Sequence, residues 1–265
     1  MIYIILIIVF IILFLFIRWR YFGIARLNKY YKNYGVVTVG KRGKGKDISF
    51  ATAVHKKKHY SNIPYNSYTI IQDDLKVLEC GVTPKQLIDN DYEIQQKKLQ
   101  DGIPFFVSDG GIYFASWLDN ELKKKYPSCP VSYAVWRHLY NSSLHFNTQC
   151  FSRLWLLIRE QAECILSCRQ CFTLFKWKLC VVRYYEDFQD CEQNLSPLKK
   201  PLLFGKQPVA IENSRRGEIR DFIYLVPLKW LEYDSRIFHK KIFGVNAPLT
   251  KRQQRKQNKH KKKTD

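Results

Sequence analysis

The sequence predicts an α/β fold, a mainly parallel sheet flanked by helices, behind an N-terminal transmembrane helix. Three observations carry this expectation: an uninterrupted apolar run at residues 2–17, a glycine- and lysine-rich turn at residues 40–47, and short apolar runs alternating with segments of helical length. With 265 residues, 46% of them hydrophobic and 15% aromatic, the chain is neither a disordered polymer nor a small disulfide scaffold. Its 44 Lys and Arg against 23 Asp and Glu give a net charge of +21. The last fifteen residues hold eight basic side chains and one acidic one, so +14 remains on the other 250. A basic body of this kind favours anionic partners.

Residues 2–17, IYIILIIVFIILFLFI, contain no charge, no Gly, no Pro and no hydroxyl except that of Tyr3. Helical rise of about 1.5 Å per residue gives this run roughly 24 Å, close to the hydrocarbon thickness of a bilayer. No basic region precedes it beyond the amino terminus, and the flank is Arg-Trp-Arg-Tyr-Phe rather than small residues, so it reads as a retained anchor rather than a cleaved signal. Arg18, Arg20, Arg26, Lys29 and Lys32 follow directly, which orients the amino terminus outward and the body toward the cytoplasm. The expected organisation is a transmembrane helix at 1–20, a basic juxtamembrane linker at 21–34, the main α/β domain at 35–245 and a disordered basic tail at 246–265.

Within the body, the β-branched run Val36–Val39 leads into Gly40, a Gly/Lys-rich turn, and a helix-compatible segment at Asp47–Lys58. Further short runs at Thr69–Ile71, Ile103–Val107, Leu144–Phe146 and Glu163–Leu166 read as strands. They are separated by segments of helical length, Ile112–Lys125, Val131–Tyr140 and Ser152–Gln161, with Pro127 and Pro130 breaking one helix from the next. The alternation in CFTLFKWKLCVVRYY, Cys171–Tyr185, suggests an antiparallel hairpin, and Phe222–Leu228 one more strand. Residues 186–217, with three prolines, read as a loop-rich excursion. The eight cysteines sit in a reducing compartment and need not pair. Cys164, Cys168 and Cys171, with Cys180 and Cys191 beyond, lack the two well-spaced pairs of a structural zinc site and read as small apolar side chains.

The turn GKRGKGKD fits the phosphate-loop pattern GxxxxGK[ST] at Gly40, Gly45 and Lys46 and departs from it at Asp47. The context suits the chemistry. A strand delivers a glycine-bearing turn whose amides approach phosphate oxygens, Lys46 reaches the β/γ-phosphates, and the helix N-terminus adds partial positive charge. Lys41, Arg42, Gly43 and Lys44 complete the loop, and the fold class becomes P-loop NTPase-like, with ATP and Mg²⁺ as expected ligands. Asp47 offers Mg²⁺ a hard oxygen in place of the usual hydroxyl, but also sets a negative charge near the phosphates. IPFFVSDGG supplies a second carboxylate, Asp109, at the end of an apolar strand, where such acids hold Mg²⁺. The position after it, where an acid often stands, is Gly110; Asp119 and Glu121 lie too far along to be assigned that role.

The order of these motifs resembles the zonular occludens toxin (Zot)-like family, the filamentous-phage assembly ATPases often called gene I proteins. The likeness rests on GKRGKGKD, SNIPY at Ser61–Tyr65, FFVSD, VWRHLYNSSLHFNTQ at Val135–Gln149, SRLWLLIREQA at Ser152–Ala162, and Tyr233-Asp234-Ser235. It implies an inner-membrane motor that drives single-stranded phage DNA through the membrane while coat subunits replace a packaging partner, and a pore would need a homo-oligomer. Carried to this sequence, it assigns Gly40, Gly45 and Lys46 to the phosphate loop, Asp109 to the Mg²⁺ site, and Arg137 and Gln149 to polar positions near the γ-phosphate. A surface arginine and a capped strand explain Arg137 and Gln149 equally well. Asp47 and Gly110 depart from the family pattern and bear on turnover, which keeps open a non-hydrolysing membrane adaptor or a basic DNA tether. The tail suits phosphate backbones and anionic lipid alike, and the basic–aromatic hairpin offers stacking surfaces for bases or is simply amphipathic.

Overall fold

A computed structural model describes residues 2–32, 35–72, 99–110, 114, 118, 120–121, 124, 128, 133, 136–186, 219–231 and 233. Asp119, the Pro127 and Pro130 break, most of the 112–125 and 186–217 segments, Asp234, Ser235 and the 246–265 tail lie outside the described residues.

The chain begins with α1 (Ile2–Ile17), a π-helical segment (Arg18–Phe22) and α2 (Gly23–Tyr30), one continuous helical run. From Tyr3 to Tyr30 it is long and apolar enough to cross a membrane by length and composition. The segment expected as a linker is therefore helical through Tyr30, and packing is the reason. Ile24, Leu27 and Tyr30 are buried while Arg26 and Lys29 stay exposed, and Tyr30 stacks on Tyr184 with ring centroids 4.4 Å apart.

Among the described residues the sheet has eight strands: β1 (Gly35–Val39), β2 (His59–Ser61), β3 (Thr69–Ile71), β4 (Phe105–Val107), β5 (Leu144–Thr148), β6 (Cys164–Leu174), β7 (Trp177–Tyr185) and β8 (Ile219–Pro227). Their spatial order is β3-β2-β4-β5-β1-β6-β7-β8. The first six in that order run parallel and the last two pair antiparallel, as the sequence suggested. All five residues of β1 and of β5 are buried, as expected for strands covered on both faces. One face packs Val37, Val39, Phe105, Val107, Leu144 and Phe146 against Trp136, Tyr140, Trp155 and Ile158. On the other, Phe106 meets Phe50 at 4.8 Å and Tyr31 at 5.8 Å.

Helix α3 (Lys46–Ala53) stops five residues short of the expected end. Lys56 takes a positive φ of 59° and the chain turns into β2. Helix α4 (Trp136–Tyr140) precedes β5. The helix expected over Ser152–Gln161 splits into a 3₁₀ turn (Phe151–Arg153) and α5 (Leu156–Glu160). Between them Leu154 and Trp155 are extended and buried, with the Trp155 amide donating to the Phe114 carbonyl at 2.7 Å, so core packing overrides local propensity. In the antiparallel part, Arg183 forms a buried fork on Asp221, Nε to Oδ1 at 2.6 Å and Nη2 to Oδ2 at 2.7 Å, which joins β7 to β8.

Candidate phosphate-binding site

The loop leaves β1 in register with β5, because the Gly40 amide donates to the Thr148 carbonyl at 3.1 Å. A turn closes where the Lys44 amide donates to the Lys41 carbonyl at 3.0 Å. Gly45 enters α3 with φ +97°, and a Cβ there would lie 3.2 Å from Cys171 Cβ and 3.3 Å from Cys180 Sγ. Both its backbone conformation and its neighbours demand glycine. Lys41, Arg42 and Gly43 are exposed, Lys44 is half-buried, and Lys46 begins the helix with a buried side chain. The first amides of α3, which have no partner within the helix, point toward the same end as these basic groups.

Asp109 follows β4 with φ +50°, a left-handed conformation that aspartate tolerates better than most residues. Lys46 Nζ donates to Asp109 Oδ1 at 2.5 Å. The strand order explains how residues 63 apart in sequence meet. β5 alone separates β1 from β4, a gap of about 10 Å at ordinary strand spacing, which one lysine side chain spans. Asn147, near the end of β5, fills the space between them. Its Oδ1 accepts the Asp109 amide at 2.7 Å and Lys46 Nζ at 3.4 Å, and its Nδ2 donates to Asp47 Oδ1 at 2.9 Å. Asp47 Oδ1 also lies 3.5 Å from Lys46 Nζ. One ammonium, two carboxylates and one amide thus form a single cluster at the C-terminal edge of the parallel strands, where ligands bind in sheets of this kind.

The SNIPY segment positions this cluster. Asn62 clamps the Ser108 backbone, accepting its amide at 2.8 Å and donating to its carbonyl at 3.0 Å. The Tyr65 hydroxyl bonds the Ser108 hydroxyl and accepts Asn147 Nδ2 at 3.4 Å. Tyr233 packs on Tyr65, ring centroids 5.5 Å apart. Burial, reinforced by the Asp47 carboxylate, holds the Tyr65 and Tyr233 phenols above their ordinary range, so both remain neutral donors.

Of the residues expected here, the loop, Lys46, Asp47 and Asp109 come together. Gln149 is exposed one position past β5, at the edge where the loop begins. Arg137 is not brought to the cluster. It is exposed on α4, which feeds the start of β5, and the four residue steps along that strand place it about 13 Å or more from the edge where Asp109 lies. Any contact of Arg137 with phosphate would have to be made to a neighbouring copy. Sequence reasoning missed Asn147; a polar residue inside a strand buried along its whole length was the available signal.

The departures at Asp47 and Gly110 each meet their surroundings here. Ser49 supplies the nearest hydroxyl after Lys46, but it bonds the Gly45 carbonyl at 3.3 Å and the Tyr224 hydroxyl at 2.9 Å, buried behind the loop, so it does not stand in for the residue that Asp47 replaces. A Cβ at Gly110 would lie 3.0 Å from Phe146 Cδ1 and 3.4 Å from the Asn147 carbonyl oxygen, so an acid here would need the Phe146 ring to give way slightly. For Mg²⁺, Asp47 and Asp109 fit in kind. They are hard oxygens gathered on one ammonium, and Mg²⁺ takes one or two carboxylates with phosphate oxygens and water completing its shell. Among the described residues no cluster of three or more His, Cys, Asp or Glu forms a metal cage. The described cysteines are free thiols.

No family model and no curated protein matches the sequence. Among solved structures, the genome-packaging NTPase B204 of Sulfolobus turreted icosahedral virus 2, in complex with ATP-gammaS, overlaps 50% of this chain and 74% of its own at 17% identity, with a TM-score of 0.33. The N-terminal domain of zonular occludens toxin from Neisseria meningitidis overlaps 58% of this chain and 84% of its own at 13% identity, with a TM-score of 0.38. The fold class itself is given by the strand order and by the glycine loop that joins β1 to α3: a P-loop NTPase-like α/β sheet with an N-terminal apolar helix.

Proposed function

We propose that this chain is a membrane-anchored P-loop ATPase that drives assembly and export of filamentous-phage single-stranded DNA through the host inner membrane, with the bulk of the chain cytoplasmic. The observation that carries the nucleotide part is the contact of Lys46 with Asp109 across Asn147, at the mouth of a glycine loop and a helix N-terminus. The basic surface, the motif order and the apolar helix support the remainder.

The chemistry follows from the residues. Without nucleotide, Lys46 is held by Asp109 and Asn147; with nucleotide, its ammonium turns to the β/γ-phosphate oxygens while the loop amides take the phosphate chain. Asn147 keeps the Asp109 backbone in place through this exchange, because its bond there is to the amide and not to the carboxylate. Mg²⁺, held by Asp109 with Asp47, would neutralise charge on the transferring phosphoryl group. Gln149 stands at the strand end where it orients an attacking water. Arg137 acts, in this reading, across a subunit boundary in a homo-oligomer, and coat or packaging proteins dock on the assembled ring. The tail holds DNA or anionic lipid.

Asp47 and the crowding at Gly110 favour one second reading, a membrane adaptor that binds nucleotide without turning it over. Nucleotide binding and phosphate release by the full chain in detergent, each measured for wild type and for Lys46→Ala, separate the possibilities. The motor predicts release that the substitution abolishes. Lysine-dependent binding without release would make the chain an adaptor, and no binding at all would leave a DNA tether.

A further inference from the structure

The antiparallel part of the sheet, β6, β7 and β8, extends past the parallel strands, with β8 paired to β7 as far as Pro227 opposite Trp177. The β1–β6 pairing ends at Val39 and Ser167, and from there β6 runs on to Leu174 with β7 as its partner among the described strands. Its burial falls along the strand until Phe172 and Leu174 are each 50% exposed and Phe175, in the turn at φ +50°, is 90% exposed. Phe172 and Leu174 share a face, and Leu174 pairs directly with Trp177. Basic groups border this apolar tip: Lys176 is exposed, and Lys178 Nζ reaches back to Thr173 Oγ1 at 2.5 Å.

The tip is joined to the end of the apolar helix. Trp177 meets Phe16 edge-on with ring centroids 5.1 Å apart, and Phe16 lies one residue, about 1.5 Å along the axis, before the end of α1. The Arg20 guanidinium, one turn further on, sits 5.6 Å from the Trp177 ring and 4.3 Å from the Trp230 ring. Leu228, beside β8 at the same end, is also exposed. Exposed aromatics and leucines with lysines at their border, level with the end of a spanning helix, have the composition of a surface that lies between acyl chains and headgroups.

We infer that the tip of this hairpin, Phe172, Leu174, Phe175 and Trp177, inserts into the cytoplasmic interface of the bilayer that α1 spans, with Lys176, Lys178 and Arg20 on anionic headgroups. The inference rests on the reading of α1 as a spanning helix and adds a second, separate contact with lipid. It turns the anchor from a single leash into a two-point mount. Cys171 and Cys180, against which Gly45 packs, lie three residues before and after the ends of the turn. The phosphate loop therefore sits about 10 Å beneath the membrane interface and faces it.

The test uses the full chain in nanodiscs of equimolar phosphatidylcholine and phosphatidylglycerol. A fluorinated phenylalanine is placed singly at Phe175, at Phe10 within α1, or at exposed Tyr68 on the far side of the sheet. Fluorine signals are read against a lipid spin-labelled high on its acyl chain and against a water-soluble gadolinium chelate. The inference expects the signals at 175 and 10 to lose most of their intensity to the labelled lipid and to resist the chelate, with the reverse at 68. A lipid response at 10 but not at 175 would overturn the inference and leave the spanning helix standing. No response at either would remove both readings. Exposure to the chelate at 175 that is relieved by a single-stranded oligonucleotide would assign the hairpin to nucleic acid instead and overturn the inference.

Discussion

Asn147 carries more of the site than its single amide suggests. Its side chain bonds Lys46, Asp47 and the Asp109 backbone together. Asn147→Ala leaves the Asp109 amide without its acceptor and Asp47 without its nearer donor, at a cost of about 1–3 kcal/mol. Chemical denaturation should show that loss, and a fluorescent nucleotide should bind the variant more weakly than wild type. Two strand positions back, His145 is fully buried against Phe106 and Tyr31, at 4.6 and 5.3 Å, and neither ring nitrogen meets a hydrogen-bond partner among the described residues. Burial lowers its pKa from 6.5 to about 3. Between those values the unfolded chain binds the proton and the folded chain does not. The stability is therefore complete above about pH 6.5 and is lost as the pH falls toward 3. His59, lowered by burial too, acts in the same direction. His145→Phe, similar in volume and without the titration, should flatten the fall in Tm between about pH 7 and about pH 5.

At the level of elements, the junction of α2 with β8 is what makes the N-terminal helix part of the body. A Cβ on Gly23 would lie 2.2 Å from the Ile223 carbonyl oxygen and 2.8 Å from Tyr224 Cα, so helix and strand touch backbone to backbone. No rotamer can relieve such a clash, and helix or strand has to move. Gly23→Leu should cost about 1–3 kcal/mol or more and should expose the 18–30 segment to protease in the detergent-solubilised chain. An unchanged cleavage pattern would mean that helix and sheet are not docked in solution. The same logic of close approach governs Gly45 at the head of α3, where the β6–β7 hairpin presses on the phosphate loop. The two contacts differ in partner but share a cause, a glycine at the point where one element crosses another.

Across the whole molecule, the sheet works as a spacer with two distinct ends. One end gathers the phosphate loop, Asp109, Asn147 and the protruding hairpin, because parallel strands all finish there. The other receives α4 and the turn from α2 into β1, and Arg137 lies toward it. Since α1 ends beside the hairpin tip and α2 descends along β8 from there, the helix meets the sheet at the end that holds the candidate site. If the proposed function holds, a nucleotide exchanged at Lys46 would act on the same end of the sheet as the junction with α1.

The amino-acid sequence alone determined what is local and contiguous: the apolar run of α1, the strand–glycine–helix unit around Lys46, the acid that ends β4, and the antiparallel hairpin, each written within about fifteen residues whose periodicity or dihedral demands are their own. It also pointed by motif order to SNIPY, though not to what Asn62 and Tyr65 do there. Only the tertiary structure decided which residues share the site. Asn147 entered because strand order sets β5 between β1 and β4, and Arg137 left because its helix meets the opposite end of that same strand. It also decided that 21–30 is a docked helix and that a side chain at position 110 would press on the Phe146 ring. Both outcomes come from atoms distant in sequence, Ile223 and Phe146, whose approach no local pattern encodes.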